Sequence, residues 1–488
     1  MAAQDAGDIG SGVMGETAEA KKEQTDLGTG RIPRLMREFA IPSIIAMVIG
    51  AVYNIVDQLF IGNAVGTLGN AATNVAFPLT TSCVALSLLF GIGGAACFNL
   101  DMGRGEKERA LHYIGVSALM LIISGIAIAV VTEIFLTPLL IAFGSPDDVL
   151  PYAQEYVRIT AIGFPFLVLV TGGGHLIRAD GSPKMTMACS LVGAIINVIL
   201  DALFVMVFGW GMAGAATATI IGQIISGIMV LWYLAHFKTA KLEREHFRLR
   251  GKYVRSVAAV GMASCFNQLA MMVVQIVVNN SLTIYGAQSA YGEAIPLATS
   301  GIIMKINQIF MSVIIGLAQG AQPIESFNYG AKQYQRVRET FRFAFIVGEV
   351  ISVCAFLVFM IFPRQILLLF GDNTELYFEF GVMFFRYFLL MTWIIALQPL
   401  TANFFSAIGK PKKGAFLSLT RQIIFFLPLV IILPRFFGIM GILYTAPIAD
   451  GLSCVVAALM LNQEMRLMGK EEARLQGNGH PIGRQNKY

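Results

Sequence analysis

Charged side chains are scarce in this chain. Asp, Glu, Lys and Arg supply 13% of its 488 residues, against about 25% in soluble globular proteins. Apolar residues supply 56%, so an ordinary water-soluble fold is excluded and the bilayer is the expected solvent. Motifs for nucleotide-driven or hydrolytic chemistry are missing as well. The sequence holds no G-x-x-x-x-G-K-[ST], no H-E-x-x-H and no serine nucleophile elbow, which argues against an ATP motor and against a hydrolase. Six cysteines (Cys83, Cys97, Cys189, Cys265, Cys354, Cys454) lie scattered in apolar stretches without metal-ligand spacing, and read as small buried hydrophobes. Gly91-Ile-Gly93-Gly-Ala-Ala96 fits G-x-G-x-x-A in form, but no strand pattern precedes it. Close helix packing through small residues accounts for it better than a dinucleotide.

What the chain does have is long apolar runs, each near the roughly 20 residues that cross a bilayer as a helix. Twelve are expected, near 38–61, 73–98, 110–136, 152–176, 185–208, 212–236, 256–285, 293–320, 339–362, 374–400, 414–434 and 438–462. The alternation of a transmembrane barrel is absent, so the fold class is all-α and polytopic. Residues 1–30 are polar and read as a disordered cytoplasmic tail, followed by an N-lobe (31–237), a cytoplasmic linker (238–255), a C-lobe (256–465) and a second cytoplasmic tail (466–488).

Basic residues alternate between loops. Arg31, Arg34 and Arg37 precede the first span; Arg104, Lys107 and Arg109 follow the second; Arg178 and Lys184 follow the fourth; seven Lys and Arg from Lys238 to Arg255 follow the sixth. Lys332, Arg336 and Arg338 follow the eighth and Lys410, Lys412 and Lys413 the tenth, while Arg364 and Arg435 are exceptions on the other side. The positive-inside rule puts these loops and both termini in the cytoplasm of a cell membrane. The net charge of +5 gathers in these loops and implies no nucleic acid.

The two halves resemble each other at an offset of about 227 residues, in Phe143-Gly144 with Phe370-Gly371, Gly181-Ser-Pro183-Lys184 with Gly409-Lys-Pro411-Lys412, and Gly211-x-x-Gly214 with Gly438-x-x-Gly441, while Pro78-Leu-Thr-Thr81 resembles Pro296-Leu-Ala-Thr299 at an offset of 218. Six spans per half give both halves one orientation, so a pseudo-two-fold axis along the membrane normal relates them.

Two carboxylates stand alone in this apolar background. Asp57 is the single Asp, Glu, Lys or Arg between Phe39 and Leu100, and Asp201 the single one between Met185 and Phe237. A charge at the centre of a bilayer helix costs about 2.5–3.5 kcal/mol even on lenient scales. Asn197 lies one helical turn before Asp201, on the same face. Two carboxylates in a low dielectric either share a proton or hold a cation between them; the bland alternative is that each is hydrogen-bonded internally and holds helices together. The second half lacks the pair, since Asn197 and Asp201 fall on Ile424 or Phe425 and on Pro428 or Leu429, and Asp57 falls near Gln275. Glu133, Glu293, Lys305, Glu349, Arg386, Arg421 and Asp450 are further charges within or near spans. Interface snorkelling accounts for those at span ends, while Lys305 and Glu349 sit deeper. Gln268, Met271, Gln275, Asn279, Met304 and Gln308 mix amide and thioether groups in the seventh and eighth spans, a composition suited to a cavity for bulky amphiphiles and equally to helix packing.

Gly316-Leu-Ala-Gln-Gly-Ala-Gln-Pro323-Ile-Glu-Ser-Phe-Asn328-Tyr-Gly330-Ala-Lys332 resembles a signature of the MATE (multidrug and toxic compound extrusion) family of bacterial antiporters. Asn54-Ile-Val-Asp57-Gln-Leu-Phe-Ile-Gly62, Gly214-Ala-Ala-Thr217-Ala-Thr219 and Arg421-Gln422 before Pro428 fit as well, and the likeness runs from about Arg31 to Met465. The resemblance implies two six-helix lobes and export of small-molecule drugs, often cationic and amphiphilic, in exchange for H⁺ or Na⁺, without ATP, cofactor or enzymatic chemistry. It implies a cation site at Asp57, Asn197, Asp201 and Thr219, and a bend of the first helix at Pro42. Two other readings stay open. A flippase for lipid-linked saccharides would need a cationic cavity, and an intramembrane enzyme would need a nucleophile–base pair that the spans do not offer.

Overall fold

A computed structural model describes residues 27–292, 294–368 and 375–477. Of the expected tails at 1–30 and 466–488, residues 1–26 and 478–488 lie outside the described residues, as do Glu293 and the Phe370-Gly371 repeat element. The described chain is helical: α1 Ile32–Val65, α2 Thr67–Gly103, α3 Lys107–Ile134, the short α4 Leu136–Ala142, α5 Leu150–Ala179, α6 Pro183–Asp201, α7 Gly211–Ala235, α8 Gly251–Ala287, α9 Ala294–Gly330, α10 Tyr334–Ile361, α11 Pro363–Leu368, α12 Glu375–Phe388, α13 Leu397–Ala407, α14 Pro411–Leu419, α15 Leu427–Phe437 and α16 Ile439–Gly477. Eleven helical segments are long and apolar enough to cross a membrane, and a bent pair, 375–394 with 397–407 at 44°, makes a twelfth. Large apolar side chains on the outside, such as Ile134, Phe436 and Leu459, are exposed, as lipid-facing positions should be.

The fifth span of each half contains a π-helical stretch, Ala202–Val207 directly after Asp201 and Thr420–Phe426 between α14 and α15. Such stretches widen the helix and leave its hydrogen-bond register locally loose. The last helix runs on to Gly477, beyond the expected boundary at 465. Glu464, at that boundary, pairs with Lys410 and Lys413, and Glu472 in the continuation pairs with Arg338. The linker is likewise shorter than expected, because α8 already begins at Gly251.

Two clusters of buried apolar residues correspond to the lobes. The first helix belongs to both: Leu35, Met36, Phe39 and Ala40 are in the C-lobe core, whereas Ile61 is in the N-lobe core. Buried Pro42 sits at the crossing. It has no amide proton to continue the helix, and the hydroxyl of Ser43 bonds back to Phe39 O at 2.8 Å. The residues before α1 are strapped to the C-lobe, for Arg336 donates to Leu27 O and Gly30 O at 3.0 and 2.8 Å, and Asn328 donates to Leu27 O at 3.0 Å.

The lobes meet through glycines at the end that carries the basic loops. A Cβ at Gly261 would fall 1.8 Å from Leu89 O, and one at Gly93 would fall 2.1 Å from Val257 O. Gly316 and Gly320 likewise stand 2.5 and 2.4 Å from the Cα atoms of Ile44 and Ala40. A Cβ at Gly103 would fall 2.1 Å from Phe327 O, and one at Gly330 would fall 2.1 Å from Leu100 O. The pairs Leu89/Gly316, Gly93/Gly320, Leu100/Phe327 and Gly103/Gly330 are each separated by 227 positions. The α1–α9 contact is therefore the repeat partner of the α2–α8 contact, and the α2–α9 contact is its own partner, on the pseudo-two-fold axis. Small residues let backbones approach this closely in a membrane bundle.

The linker between lobes is tied to the N-lobe. Asp180 accepts from Thr239 Oγ1 at 2.5 Å, Thr239 N at 3.0 Å, Lys238 N at 2.8 Å and Tyr233 Oη at 2.9 Å. Burial pushes its carboxyl up to about 6, against the pull of those donors.

Candidate cation-coupling site

Close packing of α6 on α7 builds the site. Gly222 lies 2.7 Å, measured from its would-be Cβ, from Gly193 O, and Ser226 Oγ donates to Cys189 O at 2.8 Å. One turn beyond Gly193 comes Asn197, and one turn before Gly222 comes Thr219, so the glycine contact sets them side by side: Asn197 Nδ2 donates to Thr219 Oγ1 at 3.3 Å. Asp201 follows Asn197 by one further turn, and α1 supplies Asp57 from the other side. The carboxyls of Asp57 and Asp201 face each other, with the Asn197 amide beside Asp201.

All four residues are buried: Asp57 is 8% exposed, Asn197 2%, Asp201 0% and Thr219 7%. Four of their oxygens (Asp57 Oδ1, Asn197 Oδ1 and both of Asp201) have no hydrogen-bond partner. Buried polar atoms are otherwise almost always satisfied. This donor set consists of hard oxygens without a counter-cation, which fits a shared proton or a small hard cation such as Na⁺. Three of the oxygens are carboxylate and bear directly on which of the two binds, since a proton satisfies two facing carboxylates and Na⁺ needs more oxygens around it.

Two residues join this group that the sequence did not single out. Tyr53, one turn before Asp57, has its hydroxyl beside Thr219, and Tyr156 of α5 faces the same carboxyl pair. Tyrosines inside apolar spans look like core packing in sequence. The i,i+4 spacing of Tyr53 and Asp57 was the available signal.

The remaining intramembrane charges divide. Arg421 Nε meets Asp450 Oδ1 at 2.6 Å, with side chains 18% and 6% exposed, so Asp450 is a paired structural charge. Glu349 lies near Cys454 with this pair, and its Oε2 has no hydrogen-bond partner. Lys305 has no ion-pair or hydrogen-bond partner among the described residues. Of the six residues considered for a substrate cavity, Gln268, Gln275, Asn279 and Gln308 follow the helix faces of the glycine contacts. Gln275 donates to Asn279 Oδ1 at 3.0 Å. Met304 packs against the C-lobe core, and Met271 is exposed and accepts from Asn267 across 3.9 Å.

Comparison with known proteins agrees with this architecture. The chain is 23% identical over 438 residues to the multidrug export protein MepA of Staphylococcus haemolyticus, covering 89% of this chain and 94% of that protein. It is 21% identical to MepA of Staphylococcus aureus strain N315, covering 88% and 93%. Its fold matches a multidrug resistance MATE family transporter of the MOP superfamily in an outward-facing conformation, with TM-score 0.84 and 21% identity over 91% of this chain and 98% of that one. A MOP superfamily transporter from Pyrococcus furiosus, described as having a binding pocket of reverse polarity, matches with TM-score 0.83 and 20% identity over the same shares. The MatE family model matches residues 42–203 and 264–432, one segment in each lobe and well over half of the chain. The chain belongs to the MatE family.

Proposed function

We propose that this protein is a secondary active multidrug exporter of a bacterial cell membrane, moving small organic compounds outward in exchange for H⁺ or Na⁺. The named relatives are multidrug export proteins, and the likeness covers nearly all of both chains. The observation that carries the coupling assignment is the group of four unpartnered buried oxygens on Asp57, Asn197 and Asp201. Asp57 and Asp201 would bind the entering cation, Asn197 and Thr219 would complete its oxygen shell, and no step draws on ATP. With the basic loops in the cytoplasm, the glycine contacts shut the cytoplasmic end, so the lobes stand in an outward-open arrangement. The cation site borders α1, in which Pro42 stands where that helix passes between lobes, and bending there would give cation binding a route to lobe movement. Cation and drug must then weaken each other's binding by the same factor.

The test is reconstitution into liposomes with a pH gradient or a Na⁺ gradient imposed separately and a panel of cationic and anionic fluorescent dyes. Gradient-driven dye movement that Asp57→Asn and Asp201→Asn each abolish is the expected result. Full gradient-driven movement in both variants would sink the coupling assignment.

A further inference from the structure

Away from their basic ends, and before Glu325 buried near the end of α9, the helices that meet across the lobes carry almost no charge. Over residues 39–100 and 256–324 the charged side chains are Asp57, Glu293 and Lys305. Glu293 lies outside the described residues, and Asp57 is buried against Asp201 inside the N-lobe. Lys305 is different. In α9 the C-lobe core takes Ile303, Phe310, Ile314, Leu317, Ala321 and Ile324. The opposite face reads Gly301, Lys305, Gln308, Ser312 and Gly316 at intervals of three and four residues. Gly316 touches the N-lobe backbone at Ile44, whereas nothing lies within 4 Å of the would-be Cβ of Gly301. The face thus leads from the closed contact into open space, and Lys305 stands three turns out from Gly316. On α8, the face of Gly261 continues through Gln268, Gln275 and Asn279 in the same direction.

We propose that Lys305 receives an anionic group of the transported compound, so that the interlobe cleft is built for amphiphilic organic anions carrying a carboxylate, sulfonate or phosphate. This rests on the export reading above and departs from the expectation of cationic compounds. An ammonium with three donors and no acceptor in an otherwise uncharged wall lacks what an anion supplies. Gln308, whose amide has no described partner, and Asn279, whose amide nitrogen is free while its oxygen accepts from Gln275, add neutral donors on the same wall. The ammonium would repel a cationic compound there. Exchange of an exported anion for an entering H⁺ or Na⁺ would also move charge in one sense, so a membrane potential alone would drive it.

The experiment is equilibrium binding to purified protein in phosphatidylcholine nanodiscs, using dansyl-phenylalanine and its methyl ester as probes. Wild type is expected to prefer the acid by about tenfold, the size of one charge-assisted contact. Lys305→Gln should erase that preference and Lys305→Arg should keep it. If phosphatidylglycerol in the discs displaces the acid from wild type, a lipid headgroup is the source of the anion; if it does not, a soluble compound is. Failure of wild type to bind the acid, equal binding of acid and ester, or an acid preference unchanged in Lys305→Gln overturns the proposal. Failure of the export reading is seen separately, as Lys305-dependent acid binding without movement of either probe under any gradient.

Discussion

The two lobes treat the aspartates deep in their spans differently. In the N-lobe, Asp57 and Asp201 face each other with their oxygens unpartnered. In the C-lobe, Asp450 is met by Arg421 at 2.6 Å. The repeat sharpens the contrast. The interlobe contacts align Ala40 and Ile44 with Val257 and Gly261, an offset of 217, so Asp57 corresponds to Val274, a member of the C-lobe core. The C-lobe fills that position with hydrocarbon and pairs Asp450 with Arg421, although its Glu349 keeps one oxygen unpartnered. The N-lobe keeps two acids without a counter-charge, at an energetic cost that a structural role alone does not require.

The largest expected effects break this contrast directly. Asp57→Asn and Asp201→Asn should abolish gradient-driven transport while leaving thermal unfolding in detergent unchanged or raised, because each removes one of two facing acids. Arg421→Ala or Asp450→Ala should do the reverse, destabilising the fold by about 3–5 kcal/mol through an uncompensated buried charge. Equal destabilisation by both sets would erase the distinction between the lobes.

Next in size is the glycine seal shared by the lobes. Gly261→Ala places a methyl 1.8 Å from Leu89 O, and a backbone atom cannot step aside as a flexible side chain can. Spin labels on the basic ends of the two lobes, measured by pulsed electron resonance, should report a longer distance in this variant. An unchanged distance would mean that the contact is not what closes this end.

A smaller effect is expected at the strap that binds the first helix to the C-lobe. Arg336→Ala removes the donors to Leu27 O and Gly30 O, worth about 1.5–3 kcal/mol for a charged donor. Hydrogen exchange should speed up over residues 27–40 and stay unchanged around Asp201, and uniform acceleration would contradict a local role.

The smallest effect is a pH dependence of linker docking. Burial raises Asp180 to about 6, above its unfolded value near 4, so the folded state holds that proton more firmly. Its stabilising contribution is complete below about pH 4 and falls away as pH rises through 6. Asp180→Asn should flatten the pH profile of linker hydrogen exchange between those values; a profile identical to wild type would refute the assignment.

Most of the fold was legible because a bilayer imposes a simple length rule on apolar runs. The spans, the repeat and the isolation of Asp57 and Asp201 all follow from where charge is absent. The seal was not legible, because Gly93 and Gly261 read as ordinary small residues until their backbones are brought together. The counterpart of Asp57, expected near Gln275, is Val274, and the offset between halves is 217 in the first helix and 227 in the second. The helical extension to Gly477 escaped the hydropathy criterion because it is stabilised by ion pairs rather than by lipid. Tyr53 and Tyr156 were hidden by their apolar rings.

The central claim is that the N-lobe carboxyl pair holds the ion that exchanges with the transported compound. The most direct measurement is ion release by purified protein when a bound compound is added, followed with a pH indicator in weak buffer for H⁺ and with radiolabelled sodium for Na⁺. Wild type should release one of these ions, and the Asp57→Asn/Asp201→Asn double variant none, with the compound still bound. Undiminished release from the double variant would contradict the central claim.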